Sequence, residues 1–246
     1  MQVYMGGIVP ISLASLKKST CLAIFLAGCD FKCPYCSAPE FLDFKAEYLI
    51  DILEAKRRIN SLYSSAEIVL FTGGEPTLQR QALLNLSRHC KQIGLKVGLS
   101  TNGSRPQSIL SLLRENILDF IEVDIKAPNE TELFEKVTHS KNFFKSTEEI
   151  MGELIETINL LKRNEDNLQI FFKTTVAPSL LEETGNIVKI GSMIENIKCT
   201  WILQAFSPGK TIEKRIDETK SADIENLIFL KEKLSQRFPN LNIETL

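Results

Sequence analysis

Short runs of apolar and β-branched residues recur along the chain at Cys21–Ala27, Glu67–Phe71, Lys96–Ser100, Phe120–Ile125, Leu168–Val176 and Cys199–Phe206. Their apolarity is close to continuous, the pattern of strands buried on both faces in a parallel sheet. Between them apolar positions fall at helical spacing. Leu83, Leu86, Cys90 and Ile93 mark one such face, and Ile109, Leu112 and Leu113 follow Pro106 in another. Ser146 and Glu149 form a capping box ahead of Ile150, Met151, Leu154, Ile155, Ile158 and Leu161. Ile187, Ile190 and Ile194 stripe a further helix. In the last, Ser221 and Asp223 stand at the start, and Ile224, Leu227, Ile228 and Leu234 are expected on the inner face. Asn129–Lys145, polar but for Phe134, Phe143 and Phe144, reads as a loop or a short extra helix.

This is repeated βα order with about six strands, enough for a partial α/β barrel and short of the eight of a closed one. No Gly/Ser linker interrupts it. The 246 residues are therefore expected to form one domain, with a core over about 18–208 and a C-terminal helix over 219–238. Ligands of such folds bind at the carboxyl ends of the strands.

Composition narrows the function. Lys and Arg number 29 against 31 Asp and Glu, a net charge of −2. General nucleic-acid binding is not expected of such a chain. No apolar run approaches the roughly 18 residues of a membrane span, and MQVYMGGIVP lacks the pattern of a signal peptide. A cytoplasmic protein is expected. Trp201 is assigned to the core, and Lys17 and Lys18 to an exposed pair. His89 is read as solvent-facing.

Of six cysteines, Cys21, Cys90 and Cys199 are scattered and read as small buried hydrophobes. Cys29, Cys33 and Cys36 lie together directly after the first run, on a loop at a strand's carboxyl end. Three thiolates there can converge on one soft metal centre. A structural zinc would want a fourth ligand, yet His89 and His139 are distant in sequence. A Cys33–Cys36 dithiol would leave Cys29 unexplained. A cubane cluster held by three cysteines would keep one iron open for a substrate or cofactor.

The spacing Cx3Cx2C with Tyr35 before the last cysteine resembles the signature of radical S-adenosylmethionine enzymes. Further segments match in order: GGIVP near the N-terminus, FTGGEPTLQ after the second run, STNG after the third, DIKAP after the fourth and KTTVAP in the fifth. Together they resemble the glycyl-radical-enzyme activases, and among them the activating proteins of anaerobic ribonucleotide reductase. Departures are visible too. Ser100 stands where such activases often carry the Asp of a monovalent-cation site. Ser207 stands near a position where some hold the cofactor with histidine. Ser37-Ala38 precedes Pro39 where relatives commonly show His-Asn.

The resemblance implies a partial (βα)6 TIM-like barrel and two cofactors, a [4Fe–4S] cluster on Cys29, Cys33 and Cys36, and S-adenosylmethionine. It implies cofactor contacts from Tyr35, Gly73, Gly74, Glu75, Ser100, Asn102, Asp124 and Lys126, with Lys126 on the carboxylate. Gln204 is a candidate in place of the missing histidine. Lys173, Thr174 and Thr175 either line the cavity or follow ordinary strand alternation. The implied chemistry is reductive cleavage to methionine and a 5′-deoxyadenosyl radical, which takes hydrogen from a glycine of a partner glycyl radical enzyme. Flavodoxin or ferredoxin would supply the electron. Beyond the cluster and cofactor no catalytic side chain is implied. The alternatives are a radical enzyme acting on a small molecule, nucleoside or peptide, of the 7-carboxy-7-deazaguanine synthase type for example, and a non-catalytic metal-binding module.

Overall fold

The structure is a computed structural model that describes residues 1–16, 19–209, 211–213, 216 and 224–246. Lys17, Lys18, Ser221 and Asp223 lie outside the described residues. Contacts divide the chain into two compact units. The first comprises Met1–Asp30, Glu40–Thr101 and Arg105–Glu122; the second comprises Phe31–Pro39, Asn102–Ser104 and Val123–Leu246.

The first unit is built on strands in the order β3 (Leu49–Asp51), β1 (Gln2–Leu13), β2 (Ser19–Leu26), β4 (Ile68–Gly73) and β5 (Lys96–Thr101). Strand β2 (Ser19–Leu26) has β4 (Ile68–Gly73) parallel to it, with Cys21 opposite Ile68 and Leu26 opposite Gly73. Strand β5 (Lys96–Thr101) continues the parallel set. These three carry the apolar runs read from the sequence, and their central residues are buried. Helices α1 (Ile52–Leu62), α2 (Arg80–Gln92) and α3 (Pro106–Arg114) complete the unit. In α2 and α3 the buried positions include Leu83, Leu86 and Cys90, then Ile109 and Leu112, as the spacing predicts.

Two strands of this unit lie outside the six runs. Strand β1 (Gln2–Leu13) pairs antiparallel with β2, and β3 (Leu49–Asp51) pairs antiparallel with β1. Gly6, Gly7 and Pro10 mask β1 in the sequence, because none favours a strand interior. Its place is fixed by a side chain from the end of β4's turn. Gln79 Oε1 accepts from Tyr4 N at 2.8 Å, while its Nε2 donates to the carbonyls of Tyr4 and Ala27.

Strand β6 (Phe120–Asp124) starts in the first unit and ends in the second. The second unit then runs through α4 (Thr131–Thr138), α5 (Thr147–Lys162), β7 (Gln169–Val176), α6 (Thr184–Ile194), β8 (Thr200–Ala205), α7 (Ile224–Arg237) and β9 (Asn242–Thr245). Strands β7, β8 and β9 are parallel neighbours. The capping box forms at the start of α5: Ser146 Oγ accepts from Glu149 N, and Glu149 Oε2 accepts from Ser146 N. Trp201 is fully buried, as expected, and its indole N–H donates to Thr174 Oγ1 at 3.0 Å. The Asn129–Lys145 segment contains the short helix α4. Past its end Phe143 and Phe144 stack edge to face with almost their whole surface in solvent.

Three expectations need correction. Helix α7 buries Leu227, Leu230 and Leu234, whereas Ile224 is 70% and Ile228 47% exposed. Ile228 sits about 100° around the helix from Leu227, and Ile224 is the helix's first described residue. Cys199 is only half-buried, unlike Cys21 and Cys90. His89 is half-buried, and its Nε2 meets Asn60 Oδ1 at 2.8 Å. Replacement separates the faces of α7: Leu230→Ala is expected to cost about 2–5 kcal/mol, and Ile224→Ala or Ile228→Ala no more than about 0.5 kcal/mol, measured as shifts in urea midpoint.

Candidate active site

The site is best built from the strand ends. Strand β4 finishes on Gly73, at φ +119°, where a side chain would strike the Leu26 backbone. Gly74 is tighter still: a Cβ there would stand 2.3 Å from Gly28 O and 2.5 Å from Phe41 O. Those carbonyls cannot yield, because each is held. Gly28 O accepts from Glu75 N at 2.7 Å, and Phe41 O accepts from Gly28 N at 2.8 Å. Gly74 N donates to Leu26 O, and Cys29 N to Leu42 O. The turn after β4 is thus laced onto the turn after β2, which leads into the cysteines.

Glu75 is fully buried. A single oxygen, Oε1, accepts from Thr77 N at 3.1 Å, Thr77 Oγ1 at 2.5 Å and Thr101 Oγ1 at 2.8 Å. It caps the short helix Pro76–Gln79 and ties the end of β4 to the end of β5. Thr101 was not singled out by the sequence, where it reads as one residue of a polar turn. Ser100 beside it is half-buried. Arg105, also passed over, donates from Nε to Asp30 Oδ2 at 3.2 Å.

The second unit gathers most of the remaining candidates. Lys126 Nζ donates to Asp124 Oδ2 at 2.7 Å at the end of β6. The ammonium also lies 5.8 Å from the centre of the Tyr35 ring. Burial alone would push the Asp124 carboxyl up, but the Lys126 and Lys173 ammoniums outweigh it and hold it below its ordinary range. Burial works against the charge on Lys126 as well; Asp124 and its neighbours reverse that and raise it well above a free lysine. The pair is charged on both sides. Cys33 is buried, and burial pushes its thiol up to about 12, Lys126 opposing and Asp124 and Cys36 adding to the shift.

The cysteine loop is held on this side by backbone. Lys32 N donates to Thr138 O at 2.9 Å, and Cys36 N to Cys33 O. The Thr138 carbonyl also faces Cys33 Sγ at 3.9 Å. Asn102 is buried and its Oδ1 accepts from Ser104 N, closing a turn whose Gly103 carbonyl accepts from Thr157 Oγ1. Thr174 points inward to the Ile125 carbonyl, while Lys173 and Thr175 are half-buried on the opposite side of β7. Gln204 is half-buried opposite Thr175.

Among the described residues, no three His, Cys, Asp or Glu side chains form a ready metal-holding group. The donor chemistry nonetheless fits an iron–sulfur cluster and an amino-acid cofactor. Three thiols lie on one short loop, and Cys33 and Cys36 feel each other's charge. Two buried polar atoms of the second unit, Tyr35 Oη and Asp124 Oδ1, have no hydrogen-bond partner among the described residues. Buried polar atoms are nearly always paired, so this pair of orphans marks a place for a polar ligand.

Two variants test the strand-end lacing. Gly74→Ala is expected to lower stability by about 3 kcal/mol, the upper part of the overpacking range, because it meets backbone rather than a yielding side chain. Glu75→Ala should cost about 2 kcal/mol or more for the donors it orphans, whereas Glu75→Gln keeps an oxygen in place and should recover most of it. Urea denaturation reads both.

Residues 23–164, more than half of the chain, match the radical SAM superfamily. A Methanocaldococcus jannaschii protein, named provisionally as a glycyl-radical enzyme activating enzyme, is 30% identical over 209 residues, covering 85% of this chain and 82% of its own. A 7-carboxy-7-deazaguanine synthase of Hyperthermus butylicus is 37% identical over 81 residues, 33% of this chain and 34% of that one. Among solved structures, Streptococcus suis SuiB bound to the precursor peptide SuiA superposes with a TM-score of 0.69 at 17% identity, over 95% of this chain. This chain spans 51% of SuiB, and the likeness is one of fold, the partial α/β barrel expected from the sequence. The chain belongs to the radical SAM superfamily, whose enzymes work with a [4Fe–4S] cluster and S-adenosylmethionine.

Proposed function

We propose that this protein is an activating enzyme that takes a hydrogen atom from a glycine Cα of a partner glycyl radical enzyme, with anaerobic ribonucleotide reductase the first partner to test. The observation that carries this reading is likeness over most of both chains to a relative named as an activating enzyme. The segments GGIVP, FTGGEPTLQ, DIKAP and KTTVAP support it by resemblance. When bound, the cluster and S-adenosylmethionine supply reductive cleavage of the sulfonium C–S bond, releasing methionine and a 5′-deoxyadenosyl radical that accepts the hydrogen.

The residues of the chain bind and orient. Cys29, Cys33 and Cys36 are the proposed thiolate ligands. Lys126, kept charged by Asp124, is suited to the cofactor carboxylate by a charge-assisted bond. Tyr35 and the unpartnered oxygen of Asp124 offer it further polar contacts. The Gly73-Gly74-Glu75 turn offers backbone groups at the end of β4, held in shape by the Glu75 carboxylate. Ser100, Asn102 and Gln204 are proposed to complete the polar lining. None has to move a proton in hydrogen abstraction, so none is assigned as acid or base. A reduced flavodoxin or ferredoxin is the proposed donor and the cytoplasm the proposed location. Among the described residues no helix is long and apolar enough to cross a membrane.

Likeness to 7-carboxy-7-deazaguanine synthase over a third of the chain favours a second reading, a small-molecule substrate at the same site. Oxygen-free reconstitution with iron and sulfide, reduction with dithionite and addition of S-adenosylmethionine should give methionine and 5′-deoxyadenosine. The purified glycyl radical enzyme of the same organism should then acquire a glycyl-radical doublet in EPR. Cofactor cleavage with no doublet on any such partner would move the assignment to the small-substrate reading. Stoichiometric zinc in place of iron would end both.

Two variants sharpen the site. Cys33→Ala is expected to lose the cluster's absorption and EPR signals together with product. Lys126→Met should keep the cluster but raise the KM for S-adenosylmethionine by about 10–100-fold, the equivalent of one charge-assisted hydrogen bond.

A further inference from the structure

We propose that Phe143 and Phe144 form a docking knob for the partner protein, set beside the cysteine loop by helix α4. The proposal rests on the activating-enzyme reading, in which the substrate is a glycine of another protein. It adds where that protein is gripped and what it must offer, an apolar pocket for two rings.

Single exposed apolar residues are ordinary on a protein surface. Two adjacent phenylalanines, 96% and 87% exposed, are not. Their rings meet edge to face with centroids 5.4 Å apart, and the turn that carries them is built from hydrogen bonds. His139 leaves α4 in the left-handed region, at φ +42°. Glu135 Oε2 accepts from Ser140 Oγ at 3.3 Å, Lys141 N at 3.0 Å and Thr147 Oγ1 at 2.7 Å, so one carboxylate oxygen joins the two ends of the turn. At its tip Asn142 Oδ1 accepts from Phe144 N at 2.9 Å and Lys145 N at 3.0 Å, and Asn142 N donates to Lys145 O at 3.2 Å. Groups held in place before contact lose less freedom on binding, and a few aromatic anchors commonly dominate the energy of a protein interface.

Position selects the occupant. Helix α4 packs on the cysteine loop within the second unit. Phe134 meets Phe31 edge to face, and Thr138 O accepts from Lys32 N and faces Cys33 Sγ at 3.9 Å. Phe143 stands five positions after Thr138, no more than about 18 Å of fully extended chain. A standard interface of about 800 Å² a side is roughly 30 Å across. One partner footprint therefore takes in both the knob and the loop proposed to hold the cluster. A lipid surface would also receive exposed rings, but it would cover the side on which a protein substrate has to arrive.

The full-length chain, reconstituted with iron and sulfide without oxygen, is tested against the purified glycyl radical enzyme of the same organism. Phe143→Ser combined with Phe144→Ser should leave iron content, urea midpoint and partner-free release of 5′-deoxyadenosine unchanged. The KM for the partner, read from the glycyl-radical EPR signal, should rise by about 30-fold or more, the loss of one interface hot spot. Phe143→Tyr combined with Phe144→Tyr should keep most of the wild-type KM. Asn142→Ala, which keeps the rings and frees the turn, should raise it by a smaller factor. Phe229→Ser, at a phenylalanine of α7 that is 55% exposed, should leave it unchanged. Equal partner KM for the wild type and the double-serine variant overturns the proposal. So does a double-serine variant that changes only binding to phosphatidylglycerol vesicles, or only self-association, since the rings then serve a membrane or a second copy. Should the double-serine variant fail to fold, an unchanged partner KM in Asn142→Ala overturns the proposal and a raised one supports it. A wild type that cleaves S-adenosylmethionine yet labels no partner removes the activating-enzyme reading and this proposal with it; a labelled partner keeps that reading whatever the rings do.

Discussion

The structure turns on the lack of room at Gly74. Two carbonyl oxygens, of Gly28 and Phe41, occupy the space where a side chain would begin, and each is fixed by its own hydrogen bond. This close approach lets Glu75 N reach Gly28 O, and so lets the turn after β4 hold the turn that opens the cysteine loop. Glycine is required here by packing before any ligand is considered. The same segment is the one the family resemblance assigns to the cofactor. Glu75 extends the lacing to β5 through Thr101, with a carboxylate oxygen used up by protein donors. The carboxylate thereby holds the turn in shape.

Strands buried on both faces leave a plain mark in a sequence, which is why all six apolar runs reappear as β2, β4, β5, β6, β7 and β8. Helices with a narrow buried stripe were nearly as plain, down to the capping box of α5. What was not legible had physical causes. Strand β1 carries glycines and a proline and gains its place from Gln79, whose bonds to Tyr4 join residues 75 apart. Helix α1 has a short buried row of Ile52, Ala55 and Ile59, too thin to stand out. The inner face of α7 was misassigned because Ile224 and Ile228 are as apolar as the leucines that pack; only the contacts tell them apart.

The chemistry was legible in kind and less so in arrangement. The cysteine spacing and the DIKAP segment announce themselves, and the two-residue spacing of Asp124 and Lys126 already suggests that they pair, but nothing in the sequence says that Tyr35 lies beneath the ammonium. Ion-pair partners such as Arg105 and Asp30 are ordinary residue types 75 positions apart. A one-dimensional pattern carries no signal for such a meeting. Thr101 is similar, a threonine in a turn until its hydroxyl is seen to share an acceptor with Thr77.

Taken together, the buried polar groups of the two units follow a consistent division of labour. Those that shape the turns are satisfied: Glu75 by threonines, Asn102 by Ser104, Thr174 by Trp201 and a carbonyl. Those left with spare capacity among the described residues, Tyr35 Oη and Asp124 Oδ1, border Lys126, which is held strongly charged. A buried polar atom without a partner costs about 1–3 kcal/mol, a cost offset when a ligand supplies the missing bond. A ligand bearing both an ammonium and a carboxylate matches these groups in sign: a carboxylate oxygen for the one, a lysine for the other. The satisfied set explains why the loops hold still, and the unsatisfied set supplies the groups proposed to meet a ligand.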